Sequence, residues 1–193
     1  MKAIFLDRDG VINELVYYAE HGIVDAPFTP AQVKVLPGVP AALQELKKLG
    51  YKLVIVSNQP GIAKGFFSED TFQEMRQAMH AQMNGSGKLI DGEYYCFHHP
   101  QAKISKYRRD CQCRKPKPGS IIQAAAELDL DLKSSWMLGD GVTDMQAGSK
   151  AGCRTILIGK MKCEICSLLA ESGVRPDGVA AGLPKAVEII RKG

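Results

Sequence analysis

The apolar run Ala3-Ile4-Phe5-Leu6 breaks directly into Asp7-Arg8-Asp9-Gly10. Four unbroken apolar residues closed off by polar ones read as a short strand buried on both faces, as in a parallel sheet. Ligands of open α/β sheets sit beyond the carboxyl ends of the strands, which is where this sequence puts two carboxylates. Gly10 then eases the chain away. A bare Asp-x-Asp is more often a turn or a solvated strand end; its place behind an apolar run gives it weight here. One carboxylate can attack an electrophile while its neighbour moves a proton, the requirements of phosphoryl transfer through an aspartyl phosphate.

Further strand candidates lie at residues 53–56, 136–138 and 155–158. Between them the apolar residues recur at helical spacing: Val39, Ala42, Leu43, Leu46 and Leu49 with Gly50 as a stop, then Phe72, Met75, Met79 and Met83, then Ile121, Ile122, Ala125 and Leu128. These stripes are read as core packing. Strands alternating with helices predict an α/β fold, a mainly parallel sheet with helices on both faces. Residues 13–37 and 95–118 are weakly periodic and are expected to be functional loops. No intervening segment is long enough for a large cap domain, so the 193 residues are expected to form one domain.

Hydrophobic content of 45% and charged content of 24% suit a globular protein, and no apolar stretch is long enough to span a bilayer. The first strand candidate begins almost at Met1, so no signal peptide is expected. Six cysteines fall in close-spaced groups, which favours reduced thiols and metal ligation over disulfides and places the protein in the cytoplasm.

Polar residues at the other strand ends extend the candidate site. Ser57-Asn58-Gln59 offers a hydroxyl and main-chain N–H groups for phosphate oxygens, or else caps a helix. Arg114-Lys115-Pro116-Lys117-Pro118 is a basic loop stiffened by proline, in which Lys115 can neutralise a phosphoryl group and Arg114 can fork onto a pair of oxygens. Leu138-Gly139-Asp140-Gly141-Val142-Thr143-Asp144 repeats the pattern of an apolar strand running into carboxylates. Asp7, the backbone carbonyl of Asp9, and Asp140 are candidate Mg²⁺ ligands, with Asp144 in support.

Cys96, His98, Cys111 and Cys113 supply three thiolates and an imidazole, a closed tetrahedral set for structural Zn²⁺ in a loop of about residues 95–114. His99 competes with His98 as a ligand, and buried free cysteines are the alternative reading. Cys113 abuts Arg114-Lys115, so the metal would fix the loop that presents both cations. Cys163 and Cys166 have metal or redox spacing but no second pair, and Cys153 reads as a small buried residue.

Taken together, these motifs resemble those of the haloacid dehalogenase (HAD) superfamily of phosphohydrolases. Asp7-x-Asp9-Gly10-Val11 looks like its first motif, Ser57 its second, Lys115 its third, and Gly139-Asp140 with Asp144 its fourth. The resemblance implies a Rossmann-like core, Mg²⁺ dependence, Asp7 as nucleophile and Asp9 as general acid and base. The Cys-x-His and Cys-x-Cys pairs narrow it to the D-glycero-D-manno-heptose 1,7-bisphosphate 7-phosphatase subfamily, with histidinol-phosphate phosphatases as relatives. That subfamily implies phosphoryl stabilisation by Ser57 and Lys115, and substrate contacts from Asn58, Gln59 and Arg114. Two features depart from the pattern: residues 14–37 are longer, with His21-Gly22 the one match there, and Ser57 stands in place of threonine.

The expected function is therefore a phosphomonoesterase removing the 7-phosphate of a heptose bisphosphate. Histidinol phosphate or another sugar phosphate is the enzymatic alternative. The expected partner is a small phosphorylated sugar, met by a monomer, with no membrane or nucleic acid involved. A zinc-bearing nucleic-acid-binding module is the competing class, resting on Lys103, Lys106, Arg108, Arg109 and Arg114 around Tyr107. The net charge of +4 is modest for that role.

Overall fold

Along the first strand, β1 (Ala3–Leu6), every side chain is buried, and alternate residues enter different cores. Ile4 and Leu6 join one hydrophobic cluster, Ala3 and Phe5 another. This period of two, apolar on both faces, is what the unbroken run encodes. The structure is a computed structural model that describes residues 1–83, 88–159 and 163–192.

The remaining strands are β2 (Val16–Tyr18), β3 (Ile23–Asp25), β4 (Lys52–Asn58), β5 (Gly92–Cys96), β6 (Trp136–Gly139), β7 (Arg154–Ile158) and β8 (Gly178–Ala180). The helices are α1 (Val39–Lys48), α2 (Gly61–Lys64), α3 (Glu69–Met83), α4 (Gly119–Glu127), α5 (Val142–Ala151), α6 (Cys163–Ser172) and α7 (Leu183–Arg191). Six strands form one parallel sheet in the order β5-β4-β1-β6-β7-β8, and β2 and β3 pair as a separate antiparallel hairpin. Helices α1, α3 and α7 cover the Ile4/Leu6 face; α4 and α5 pack on the Ala3/Phe5 face.

The α1 stripe Val39, Ala42, Leu43 and Leu46 turns its apolar face onto the sheet, with Pro40 in the first turn and Lys47 and Lys48 in the last. Phe72, Met75, Met79 and Met83 do the same for α3. The third stripe needs correction. Ile121, Ala124 and Ala125 are the buried apolar residues of α4, while Ile122, a step of 100° further round, is 49% exposed.

Two expected loops contain ordered elements. Residues 13–37 include the β2–β3 hairpin and a short 3₁₀ turn, Pro30–Gln32. The second loop begins inside β5, an edge strand whose sequence GEYYC has no apolar run and is half-buried along most of its length, with Tyr94 packed on one core and Tyr95 on the other. Among the described residues, no helix is long and apolar enough to cross a membrane.

Candidate active site and metal cluster

The chain leaves β1, builds β4 and β5 on one side, and returns to build β6, β7 and β8 on the other. Such a reversal opens a crevice at the carboxyl ends of the central strands. Asp7 follows β1, Ser57 is the penultimate residue of β4, and Asp140 follows β6. The Asp7 N–H donates to Leu138 O at 2.9 Å, so the pairing of β1 with β6 continues to the first carboxylate.

Lys115 is the hub. Its side chain is 3% exposed, with Nζ 2.9 Å from Asp7 Oδ1 and 2.5 Å from Asp144 Oδ1, and it donates to Val56 O at 2.9 Å. Burial alone would pull the ammonium down, but Asp144 and Asp7 overcome this and hold its proton above the ordinary lysine range. Asp144, placed by the sequence as a support, is a buried member of the site. Its Oδ2 accepts from Gly141 N at 3.1 Å, closing the start of α5.

Oxygens of Asp7, Asp140 and Asp144 all lie within 4.8 Å of one another. Burial, then the charges of Asp7 and Asp144, push the Asp140 carboxyl up to about 7. Gly10 makes the crowding possible: at φ +79°, a Cβ there would lie 2.2 Å from Asp140 Oδ2. Three acids facing one lysine leave an excess of negative charge, and hard oxygen donors of this kind fit Mg²⁺.

Asp9 is caged. Its Oδ1 accepts from Asn13 Nδ2 at 2.9 Å and Arg8 Nε at 3.2 Å; its Oδ2 accepts from Gln59 Nε2 at 2.6 Å. Arg8, 1% exposed, and Asn13, fully buried, were not singled out from the sequence. The four-residue step from Asp9 to Asn13 is the one signal that pointed to the second.

Asn58 and Gln59, expected to touch substrate, have their amides engaged by the protein. Asn58 Nδ2 donates to Lys115 O, and Lys115 N donates to Asn58 Oδ1, both at 3.0 Å, which ties the basic loop to the end of β4. Gln59 donates to Asp9 and, at 3.1 Å, to Ser57 Oγ. Both residues also line a recess shared with Asp25 and Phe28, behind the hairpin, and Lys64. His21 sits in the exposed hairpin turn.

Cys96, in register with Asn58 at the end of β5, meets His98, Cys111 and Cys113. The three Sγ atoms are 3.2, 3.3 and 3.5 Å apart, and His98 Nδ1 is 3.3 Å from Cys113 Sγ. Tetrahedral Zn²⁺ with bonds of about 2.3 Å would set its sulfurs about 3.8 Å apart, so a small outward relaxation admits the ion. Burial and the neighbouring Cys113 push the Cys96 thiol up, a crowding that a dication relieves. His99 is turned elsewhere, with Nδ1 accepting from Gln101 N at 3.1 Å.

The basic cluster is largely consumed internally. Lys106 pairs with Glu69, Lys117 with Asp110, Arg108 donates to Ala102 O and Arg114 to His98 O. Tyr107 is buried with its hydroxyl on Glu69, so it offers no ring for base stacking. Cys153 is buried, Cys166 is exposed on α6, and the side chain of Cys163 lies outside the described residues.

A family model described as "HAD-hyrolase-like" matches residues 112–186. The D-glycero-beta-D-manno-heptose-1,7-bisphosphate 7-phosphatase of Photorhabdus laumondii is 40% identical over 190 residues, covering 98% of this chain and 97% of the relative. The protein of that name from Haemophilus influenzae is 47% identical over 147 residues, 76% of this chain and 75% of the relative. Among solved structures, the D,D-heptose 1,7-bisphosphate phosphatase of B. bronchiseptica, complexed with magnesium and phosphate, aligns with a TM-score of 0.79 at 30% identity, covering 100% of this chain and 99% of that one.

Proposed function

The chain belongs to the HAD-like D-glycero-beta-D-manno-heptose-1,7-bisphosphate 7-phosphatase family and is a phosphoric monoester hydrolase; from that footing we propose that it removes the 7-phosphate of the β-anomeric heptose bisphosphate named for its relatives. The observation that carries the reading is Lys115 locked between Asp7 and Asp144, with Asp140 in the same cluster. That arrangement suits a charged, in-line phosphoryl transfer.

A carboxylate oxygen of Asp7 attacks phosphorus as the bond from phosphorus to the C7 oxygen breaks. Asp9 gives its proton to that departing oxygen, leaving an aspartyl phosphate on Asp7. The Asp9 carboxylate next takes a proton from a water whose oxygen attacks phosphorus, and inorganic phosphate leaves with Asp7 restored. Lys115 and the Ser57 hydroxyl meet the phosphoryl oxygens. Mg²⁺, held by Asp7, Asp140 and the Asp9 carbonyl, supplies neutralisation of phosphoryl charge. Arg114, whose guanidinium donates to His98 O, is our candidate to receive the sugar or its second phosphate through its remaining N–H groups.

Zn²⁺ in the Cys96, His98, Cys111 and Cys113 set is proposed as structural. The cytoplasm, where thiols stay reduced, is the setting proposed for a monomeric enzyme.

Side-by-side kinetics decide the substrate. Heptose bisphosphate should exceed histidinol phosphate by at least about 100-fold in kcat/KM, a difference of about 2.7 kcal/mol. Equal rates, or a reversed preference, would remove the sugar assignment. Asp7→Asn should cost more than about 10⁴-fold in kcat while leaving the melting temperature close to that of the parent.

A further inference from the structure

Gln59 is 1% exposed and lies just past β4, with its main chain pinned by donation of Gln59 N to Cys96 O at 2.7 Å. Its Nε2 carries two hydrogens and meets two acceptors, Asp9 Oδ2 at 2.6 Å and Ser57 Oγ at 3.1 Å. We propose that Gln59 is a positioning residue whose single amide couples the grip on the phosphoryl group to proton transfer, by aiming the Ser57 hydroxyl and carrying Asp9 Oδ2 together. This rests on the phosphatase roles given above to Asp9 and Ser57.

Chemistry fixes the direction of both bonds. An ionised Asp9 only accepts, so the amide nitrogen faces it; when Oδ2 carries the proton, its O–H turns to the leaving oxygen and a remaining lone pair still accepts from Nε2. Ser57 Oγ is then an acceptor in its contact with Nε2. The one hydrogen of its hydroxyl remains free to donate, and the phosphoryl group is the acceptor the site is built to receive. Asp9 Oδ1, by contrast, is occupied by Asn13 and Arg8. That leaves Oδ2 as the oxygen for proton traffic, with Gln59 holding it in place. In the first half-reaction the proton on Oδ2 passes to the leaving oxygen; in the second, Oδ2 takes one back from the attacking water. Gln59 itself neither gains nor loses a proton.

The role differs from direct substrate contact, because it depends on how much help the leaving group needs. An alkoxide leaving group requires the Asp9 proton, whereas p-nitrophenolate leaves without it. Gln59→Met should therefore lower kcat/KM, which reads the half-reaction that forms the aspartyl phosphate, about 100-fold for an alkyl phosphate and no more than about tenfold for p-nitrophenyl phosphate, the latter through loss of the Ser57 orientation; hydrolysis of the aspartyl phosphate, common to both esters, slows alike. Gln59→Glu, similar in shape, sets a second carboxylate against Asp9 and accepts the Ser57 hydrogen, so it should be worse than Gln59→Met on both esters. Gln59→Asn retracts the amide by one methylene and should keep the same ranking of esters in weaker form, which provides a test should the larger changes disturb folding. Melting temperatures and zinc content are measured alongside.

Equal losses of kcat/KM on the two esters in Gln59→Met, or Gln59→Glu matching the parent enzyme, would overturn the proposal. A parent enzyme active on both simple esters but not on heptose bisphosphate would sink the sugar assignment alone. A parent inactive on every ester would remove the phosphatase reading and this one with it.

Discussion

Gly10 and Gly22 both adopt positive φ, +79° and +60°, yet a side chain would meet different surroundings at the two. At Gly22 nothing lies within 4 Å; at Gly10 a Cβ would collide with Asp140 Oδ2. The backbone strain of an L residue, about 1–2 kcal/mol, is common to both. Displacement of Asp140, the proposed Mg²⁺ ligand, is confined to Gly10. Gly10→Ala should raise the Mg²⁺ concentration for half-maximal activity at least about tenfold and lower kcat, whereas Gly22→Ala should lose only about 2–8 °C in melting temperature. Magnesium titrations of activity on the two variants check this, and equal titration curves would sink it. At this scale the sequence was most legible where polar residues interrupt apolar runs: Asp7, Ser57 and Asp140 announce themselves by position, and Lys115 by its proline-stiffened basic loop. Arg8 and Asn13 did not, because a buried polar residue is recognisable only by its partner, and the partner here is Asp9, already assigned its own task.

Among the elements, β5 and the loop behind it join the two halves of the site. Asn58 in β4 pairs with Cys96 in β5, Gln59 N donates to Cys96 O, and Arg114 reaches His98 O, so the metal-type cluster and the catalytic strand end are braced against each other. Lys103 N and Ile104 N both donate to Ala63 O, fastening the same loop to α2. Cys111→Ser should therefore abolish binding of one Zn²⁺ per chain and lower kcat/KM by about 10–100-fold, through a misplaced Arg114 and Lys115. None of the cluster ligands belongs to the cores on either face of the sheet, so hydrogen exchange should rise in residues 97–113 while β1 and β6 stay protected. Zinc analysis, kinetics and exchange on one preparation test this together; undiminished activity in a zinc-free variant would refute it. The Cys and His spacing made the cluster readable without coordinates. The strand leading into it was not, because GEYYC, half-exposed along an edge, carries neither an apolar run nor alternation.

For the whole molecule, the parallel order β5-β4-β1-β6-β7-β8 was legible as a fold class, since four of its six strands are apolar runs. The hairpin and β8 were hidden by their three-residue length. That order gathers Asp7, Asp140 and Asp144 at one crevice, and their mutual repulsion has a global cost. A carboxyl raised to about 7 in the folded chain binds a proton that the unfolded chain, with its ordinary value of about 3.9, has already released. Between those limits the folded state holds more protons, so its stability falls as pH rises from about 4 to 7. The paired acids elsewhere do not share this window: Asp91 and Glu93 are held below the ordinary carboxylate range despite burial, by Lys47 and by His80 with Arg76, and their contribution is complete above pH 5. His98 and His99, drawn down by burial, act in the opposite sense below the ordinary histidine value, so the absolute melting curve mixes several groups. The difference made by Mg²⁺ isolates the acidic crevice, because the ion binds the ionised carboxylates and displaces the proton. Zinc-loaded protein dialysed free of Mg²⁺ should gain little in melting temperature from added Mg²⁺ at pH 5, and about 4 °C or more at pH 8, at about 2–4 °C per kcal/mol for a chain of this size. A gain that is constant across that range would mean that Asp140 is already ionised at pH 5 and that crowding by Asp7 and Asp144 does not govern the site.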